Sequence, residues 1–181
     1  DRMFSSAFSN PEDIKKIVSV LSSRRSGHTR QEISRLTGIA DSGSLTKLLR
    51  ALVASDYVLC YQPFGMGKRE ERYKLIDHFS LFYIRFVSGT ASLGEGFWSA
   101  SHTSPKVNSW RGFAFEEVCL SHISQIKSAL GISGVSSTQS AWSVTGDSED
   151  DAGTQIDLLI IRKDNVVNIC EMKFYSEEFT V

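Results

Sequence analysis

Cysteine and long apolar runs are both scarce in this sequence. The three cysteines, Cys60, Cys119 and Cys170, stand far apart without paired spacing, which excludes a disulfide-stapled secreted framework. None has a Cys or His companion at zinc-finger spacing, so a structural zinc site is excluded as well. They read as buried free thiols in a reducing cytoplasm. No apolar stretch approaches the ~20 residues that a membrane helix needs, and we expect no membrane span. Asp1-Arg2-Met3-Phe4 lacks the basic and apolar leader of a secretory signal. There is no Met at residue 1, and the chain stops soon after its last strand pattern, so we expect a piece of a longer protein.

A hydrophobic share of 41% with 23% charged residues is ordinary for a globular protein, and 181 residues suit two small domains. The net charge of −1 argues against strong nonspecific binding to nucleic acid. That total hides an asymmetry. Residues 1–90 carry 14 basic and 9 acidic side chains, a balance of +5, whereas residues 91–181 carry 6 and 12, a balance of −6. The first half is able to approach a polyanion, while the second would need a cation at its acidic positions.

Asn10 followed by Pro11 is a helix start, and Ile14, Ile17, Val18 and Leu21 recur at helical spacing, which predicts a helix over 11–22. Thr29 with Glu32 forms a capping-box pattern ahead of a short helix that Thr37-Gly38 closes. Ser42 or Ser44 caps a third helix, about 43–54, striped with Leu45, Leu48, Leu49, Leu52 and Val53. Three short helices with a tight turn between the last two give helix-turn-helix geometry. Residues 57–61 and 72–76 then read as strands around a tip rich in Gly and charge, a wing-like hairpin. Gly65, Gly67 and Lys68 hint at a phosphate loop, but Gln62 stands where the pattern needs Gly, and Arg69 stands where it needs Ser or Thr.

Phe79, Phe82, Tyr83 and Phe86 form an aromatic helical face over 77–88, read as packed core or interdomain seam. Residues 89–109 are Ser- and Gly-rich without periodicity and read as the linker, and a helix follows over about 110–130. Ala141-Trp142-Ser143-Val144 reads as a short strand. Glu149-Asp150-Asp151 reads as a solvated loop. Residues 155–162 and 166–174 read as two strands joined by Lys163-Asp164-Asn165. Their apolar character on both faces suggests a sheet covered on both sides.

With the hairpin closed by residues 163–165, paired positions sum to 328, so Asp157 faces Glu171 and Gln155 faces Lys173. Opposed carboxylates repel unless a cation lies between them, and a hard divalent ion such as Mg²⁺ would resolve the conflict. The alternative is a Lys173 salt bridge that neutralises one carboxylate, or an edge position open to water.

An Asp near one strand followed by Glu-X-Lys on the next, here Gln155-Ile156-Asp157 and Glu171-Met172-Lys173, resembles the PD-(D/E)XK nucleases. Gly112-Phe113-Ala114-Phe115-Glu116 lies on the preceding helix, where such nucleases often carry a further acid. The helix-turn-helix, the segment 72–77, the aromatic run to Phe86, Gly-X-X-Phe-Glu and Glu-X-Lys-Phe follow one another as in the C-terminal region of prokaryotic AAA-type ATPases, the archaeal-type or DEXX-box group. That similarity spans nearly the whole chain. Ile156 replaces the proline of the name, and that proline supplies no catalytic atom.

The resemblance implies an α/β (α+β) chain: a winged helix over 1–88, a linker over 89–109, and a nuclease-like core over 110–181 that is incomplete at its end. It implies an ATPase module elsewhere in the whole protein and weak association with DNA. In an active core Asp157 and Glu171 would ligate Mg²⁺ or Mn²⁺ with the Met172 carbonyl, and Glu116 would add a direct or water-mediated contact. Lys173 would orient or deprotonate the attacking water. DNA phosphates would meet Lys47 and Arg50 on the third helix and Lys68, Arg69 and Arg72 on the wing. His122 is able to line the site, although an ordinary surface histidine explains it as well. A noncatalytic scaffold that regulates the ATPase or pairs with another protein is the rival reading.

Overall fold

Local capping sets the first half of the chain. In the computed structural model, which describes residues 4, 8–88, 94–144 and 154–175, helix α1 runs Pro11–Leu21, with the Asn10 side chain accepting the Asp13 N–H. Strand β1 is the two-residue His28–Thr29. Helix α2, Arg30–Thr37, carries the reciprocal capping box: Thr29 Oγ1 accepts the Glu32 N–H, and a Glu32 carboxylate oxygen accepts the Thr29 N–H at 2.7 Å. Helix α3, Gly43–Ala54, is capped by Ser42. Strands β2, Val58–Tyr61, and β3, Arg72–Leu75, follow, separated by a tip that includes a short helical turn at Lys68–Glu70.

The chain divides into two compact units, Asp1–Leu93 and Gly94–Val181. In the first, the three strands form an antiparallel sheet in the order β1-β3-β2, with Cys60 opposite Tyr73 and His28 on the other side of Tyr73. The apolar stripes converge on one core: Ile14, Ile17, Val18 and Leu21 from α1, Ile33 from α2, Leu45, Leu48, Leu49 and Leu52 from α3, and Val58 and Leu75 from the sheet. Of the three strands in this sheet the sequence misses β1, because a two-residue strand has no periodicity to detect.

A polar knot ties these elements together. His28 is buried, and Arg24 Nη2 lies 2.8 Å from its Nδ1. A guanidinium only donates, so Nδ1 accepts and Nε2 carries the proton, which it donates to Ser23 Oγ at 3.2 Å. Glu32 pairs with Arg24 at 2.6 Å and stands 4.0 Å from His28, and Arg72 adds a second positive charge nearby. Burial, then the Arg24 charge, pushes the His28 pKa below its usual 6.5. The Arg24 hydrogen bond holds the Glu32 pKa down from 4.5 to about 2.

Both shifts are downward, so both groups contribute full stability above their unfolded values and lose it on acidification. The expected result is a melting temperature that declines from about pH 6.5 downward through His28. It declines again below about pH 4.5 through Glu32, whose pair is partly open to water and contributes about 1 kcal/mol after screening. Thermal melts from pH 7.5 to 3.5 check this. A His28→Gln variant with the same slope between pH 6.5 and 5 would refute the first step.

The aromatic run is not one regular helix. Helix α4 covers His78–Phe82, and a wider, π-type turn continues over Tyr83–Val87. Phe86 is buried while Phe79 is 61% exposed, so the face read as packed is only partly so.

In the second unit, helices α5, Phe97–Ser101, and α6, Pro105–Ser121, occupy much of the stretch read as linker. Residues 89–93 lie outside the described residues. Ser104 caps α6 ahead of Pro105, a start signal the sequence reading passed over. Apolar residues surround α6 instead of forming a stripe, which is why periodicity did not find its beginning. The helix read as continuous to 130 breaks at His122, and helix α7 covers Ile123–Ala129.

Strands β4, Ser137–Val144, β5, Thr154–Arg162, and β6, Val167–Cys170, make an antiparallel sheet in the order β4-β5-β6. Leu158, Ile160 and Met172 pack with Ile132 against Cys119, Leu120, Ile123 and Ile126 of the helices. On the other face Leu159 of β5 is buried, while Val167 and Ile169 of β6 are 49% and 69% exposed, so among the described residues that face is open along β6. The acidic run Glu149-Asp150-Asp151 and residues 176–181 lie outside the described residues. Taken together, the chain is mixed α/β, with seven α-helices and two three-stranded antiparallel sheets among the described residues.

Candidate functional site

Lys47 and Arg50 project from α3 into solvent, and Lys68 and Arg69 are exposed at the β2–β3 tip. Other cations of this unit are already paired: Lys15 with Glu12, Lys16 with Asp13, Arg24 with Glu32 and Arg30 with Asp41. Among the described residues Lys47, Arg50, Lys68 and Arg69 have no such partner, so their charge is available to a ligand. Arg72 differs. It is half-buried in β3, and its guanidinium donates to the Gly27 carbonyl at 3.4 Å, which makes it part of the fold.

In the second unit the three-residue turn 163–165 closes the β5–β6 hairpin, with Asn165 at φ 64 and the Arg162 N–H donating to the Val166 carbonyl at 2.9 Å. The register runs from Leu158↔Cys170 to Ile161↔Val167, so paired positions sum to 328. The ladder stops there, short of the expected strand end at 174 and one position before Asp157 would meet Glu171.

Two local features account for the stop. On the other side of β5, Ser140 pairs with Leu159 and Trp142 with Ile156, so Asp157 and Leu158 together oppose Ala141. Asp157 therefore sits in a β-bulge, which interrupts the alternation of faces and re-aims the side chain. The Arg162–Val166 bond also puts the even-numbered β5 residues in the hydrogen-bonded pairs, so a continued ladder would send the Met172 N–H to the Ile156 carbonyl. Instead it donates to Asp157 Oδ2 at 3.0 Å, and Gln155 Nε2 donates to Asp157 Oδ1 at 3.1 Å.

Met172 is buried in the core of this unit, and its neighbours Glu171 and Lys173 are turned outward, each side chain 48% exposed. They form an ion pair through Lys173 Nζ and Glu171 Oε1. This is the neutralising salt bridge that the sequence left open as an alternative to a metal. On α6, Phe115 touches Phe174 with ring centroids 5.8 Å apart, which brings Glu116, the next residue, into the neighbourhood of Lys173. The electrostatics agree: the Lys173 pKa is raised, first by the Glu171 hydrogen bond, then by the charges of Glu171, Asp157 and Glu116. Lys173 thus sits against Glu171 within the field of two further carboxylates, Asp157 on β5 and Glu116 on α6.

His122 is exposed and its Nδ1 lies 2.6 Å from the Val118 carbonyl, an ordinary helix-end contact. Cys60, Cys119 and Cys170 are half-buried free thiols, and burial raises the pKa of each, so none is an activated nucleophile.

The donor set of Asp157, Glu171, Glu116 and the Met172 carbonyl is all hard oxygen, matching Mg²⁺ or Mn²⁺ in kind. Among the described residues, no three acidic, His or Cys side chains are already gathered to hold a metal; Asp157 accepts from Met172, and Glu171 is paired with Lys173. Glu171 meets Lys173 through Oε1, and its second carboxylate oxygen is not part of that ion pair. No helix among the described residues is long and apolar enough to cross a membrane. Comparison with family models, with curated proteins and with solved structures returns no match to this chain.

Proposed function

We propose that this chain pairs a DNA-docking winged helix over 1–88 with a PD-(D/E)XK-type core that hydrolyses phosphodiesters with Mg²⁺ or Mn²⁺, as part of an ATPase-associated protein. The observation that carries the nuclease reading is the Lys173–Glu171 pair on the segment that also donates the Met172 N–H to Asp157 at the bulge of β5, with Phe115 on Phe174 bringing the Glu116 segment alongside. The order α1-β1-α2-α3-β2-β3, with β3 central in the sheet, supports the winged-helix reading, and so do the unpaired cations Lys47, Arg50, Lys68 and Arg69. A reducing cytoplasm is the compartment we propose, in keeping with three free thiols.

Asp157 and Glu171 would hold the ion, with Glu116 and the Met172 carbonyl supporting it. When bound, the metal would polarise the scissile phosphate and activate water. Lys173 offsets charge that builds on phosphate oxygens, a role for a point charge on a flexible stem. Because Met172 is anchored in the core, Glu171 and Lys173 are presented together.

The Lys173–Glu171 pair and the Met172–Asp157 bond also favour a second reading, a noncatalytic scaffold whose site is internally neutralised. Calorimetric titration of the full-length protein with Mn²⁺, together with cleavage assays on single-stranded, duplex and branched DNA and on RNA, separates the two. Metal binding with cleavage supports the enzyme, whereas neither of them leaves the scaffold.

The docking half has its own test. Lys47→Ala with Arg50→Ala is expected to weaken duplex binding uniformly across sequences and to lower the salt slope of log K by about 2. Anisotropy titrations at several salt concentrations measure it, and an unchanged slope would remove α3 from the contact.

A further inference from the structure

The β2–β3 tip is built in a way that phosphate contacts alone do not explain. Phe64 and Met66 are each 48% exposed at its apex. They are held by a tight turn: the Met66 N–H donates to the Pro63 carbonyl at 3.1 Å, Gly65 takes φ 77, and the Gln62 side chain donates to the Met66 carbonyl. Positive φ at the third residue of such a turn leaves Phe64 on its corner, the outermost position. A second turn follows at once, closed by the Glu70 N–H on the Gly67 carbonyl at 2.9 Å, and it presents Lys68 and Arg69 without ion pairs.

Single exposed apolar residues are common, but an aromatic and a methionine on one hydrogen-bonded apex beside two free cations form a small amphipathic probe. Every nucleobase offers a flat π face next to phosphates. Aromatic side chains stack on unpaired bases, and apolar wedges enter base steps that are already loose. We propose that the tip recognises open DNA: Phe64 stacks on an unpaired base at a single-strand to double-strand junction, Met66 packs behind it, and Lys68 and Arg69 engage the flanking phosphates. This rests on the DNA-docking reading and adds to it a preference for forked over blunt duplex DNA.

The test uses the whole 181-residue chain and two DNAs of matched length and sequence, one blunt and one forked, the fork carrying 2-aminopurine at its first unpaired position. The wild type is expected to bind the fork more tightly, with quenching of the 2-aminopurine. Phe64→Ala with Met66→Ala is expected to weaken fork binding roughly tenfold, the scale of one base–aromatic stack, with the blunt duplex unaffected and the quenching lost. Both residues are exposed, so the variant should melt like the wild type. Equal affinity for fork and blunt duplex, or a double variant that still prefers and quenches the fork, overturns the junction proposal while docking on DNA stands. Absence of binding to either DNA overturns both. Phe64-dependent sedimentation with anionic phospholipid vesicles, without a fork preference, would assign the tip to a membrane surface and overturn the proposal too.

Discussion

Gly27→Ala is expected to destabilise the first unit by about 3–5 kcal/mol, most of what a unit of this size possesses. A Cβ at this position would lie 2.3 Å from the Tyr73 carbonyl oxygen and 2.8 Å from its carbon, both backbone atoms of the central strand β3. Neither is able to swing away as a side-chain end would. The residue also holds φ at 70, which adds roughly 1–2 kcal/mol of backbone strain for any L side chain. The Gly27 carbonyl receives the Arg24 Nε at 2.9 Å, so displacing this segment loosens the knot around His28 as well. Gly65→Ala separates the two effects, because φ there is also positive but nothing lies within 4 Å of the added Cβ. It should cost only the strain, about 1 kcal/mol. Urea unfolding of both variants decides the matter, and comparable losses for the two would show that the contact with Tyr73 is not the cause.

The second large effect concerns the proposed nuclease core. In the full-length protein, Asp157→Asn and Lys173→Ala are each expected to reduce metal-dependent cleavage by about 10³ or more, yet only Asp157→Asn should lose Mn²⁺ binding in calorimetry. Asparagine keeps an oxygen to accept the Met172 N–H at the bulge, so the local fold survives while the charge is removed. Lys173→Ala frees Glu171 from its ion pair, and under the ligand reading Mn²⁺ should then bind as tightly as before or more tightly. Cleavage that survives in Lys173→Ala would deprive the lysine of its role. Loss of Mn²⁺ binding in Lys173→Ala would show that the lysine organises the site instead of competing for it.

The sequence made much of the first unit legible because its signals are local. Asn10-Pro11, the Thr29/Glu32 box and Ser42 each set a helix start within a few residues, and Gly38 ends α2 at the expected place. The β5–β6 register followed from the length of one turn, since a three-residue loop leaves one pairing consistent with the observed ends. The start of α6 was written in Ser104-Pro105, but a helix with apolar residues on all sides has no stripe to reveal it.

Around the candidate site, the sequence by itself determined which chemical groups are present: two carboxylates and a lysine on neighbouring segments, and a further acid on the preceding helix. Tertiary structure alone decided how they meet. The bulge opposite Ala141, the end of β6 at Cys170 and the transfer of the Met172 N–H to Asp157 depend on the partner strand and on the packing of Met172. A strict alternation rule assumes an unbroken ladder and has no means of anticipating one extra residue. The same holds for the surroundings of the Lys173–Glu171 pair, because the charges of Asp157 and Glu116 come near it only in the folded chain.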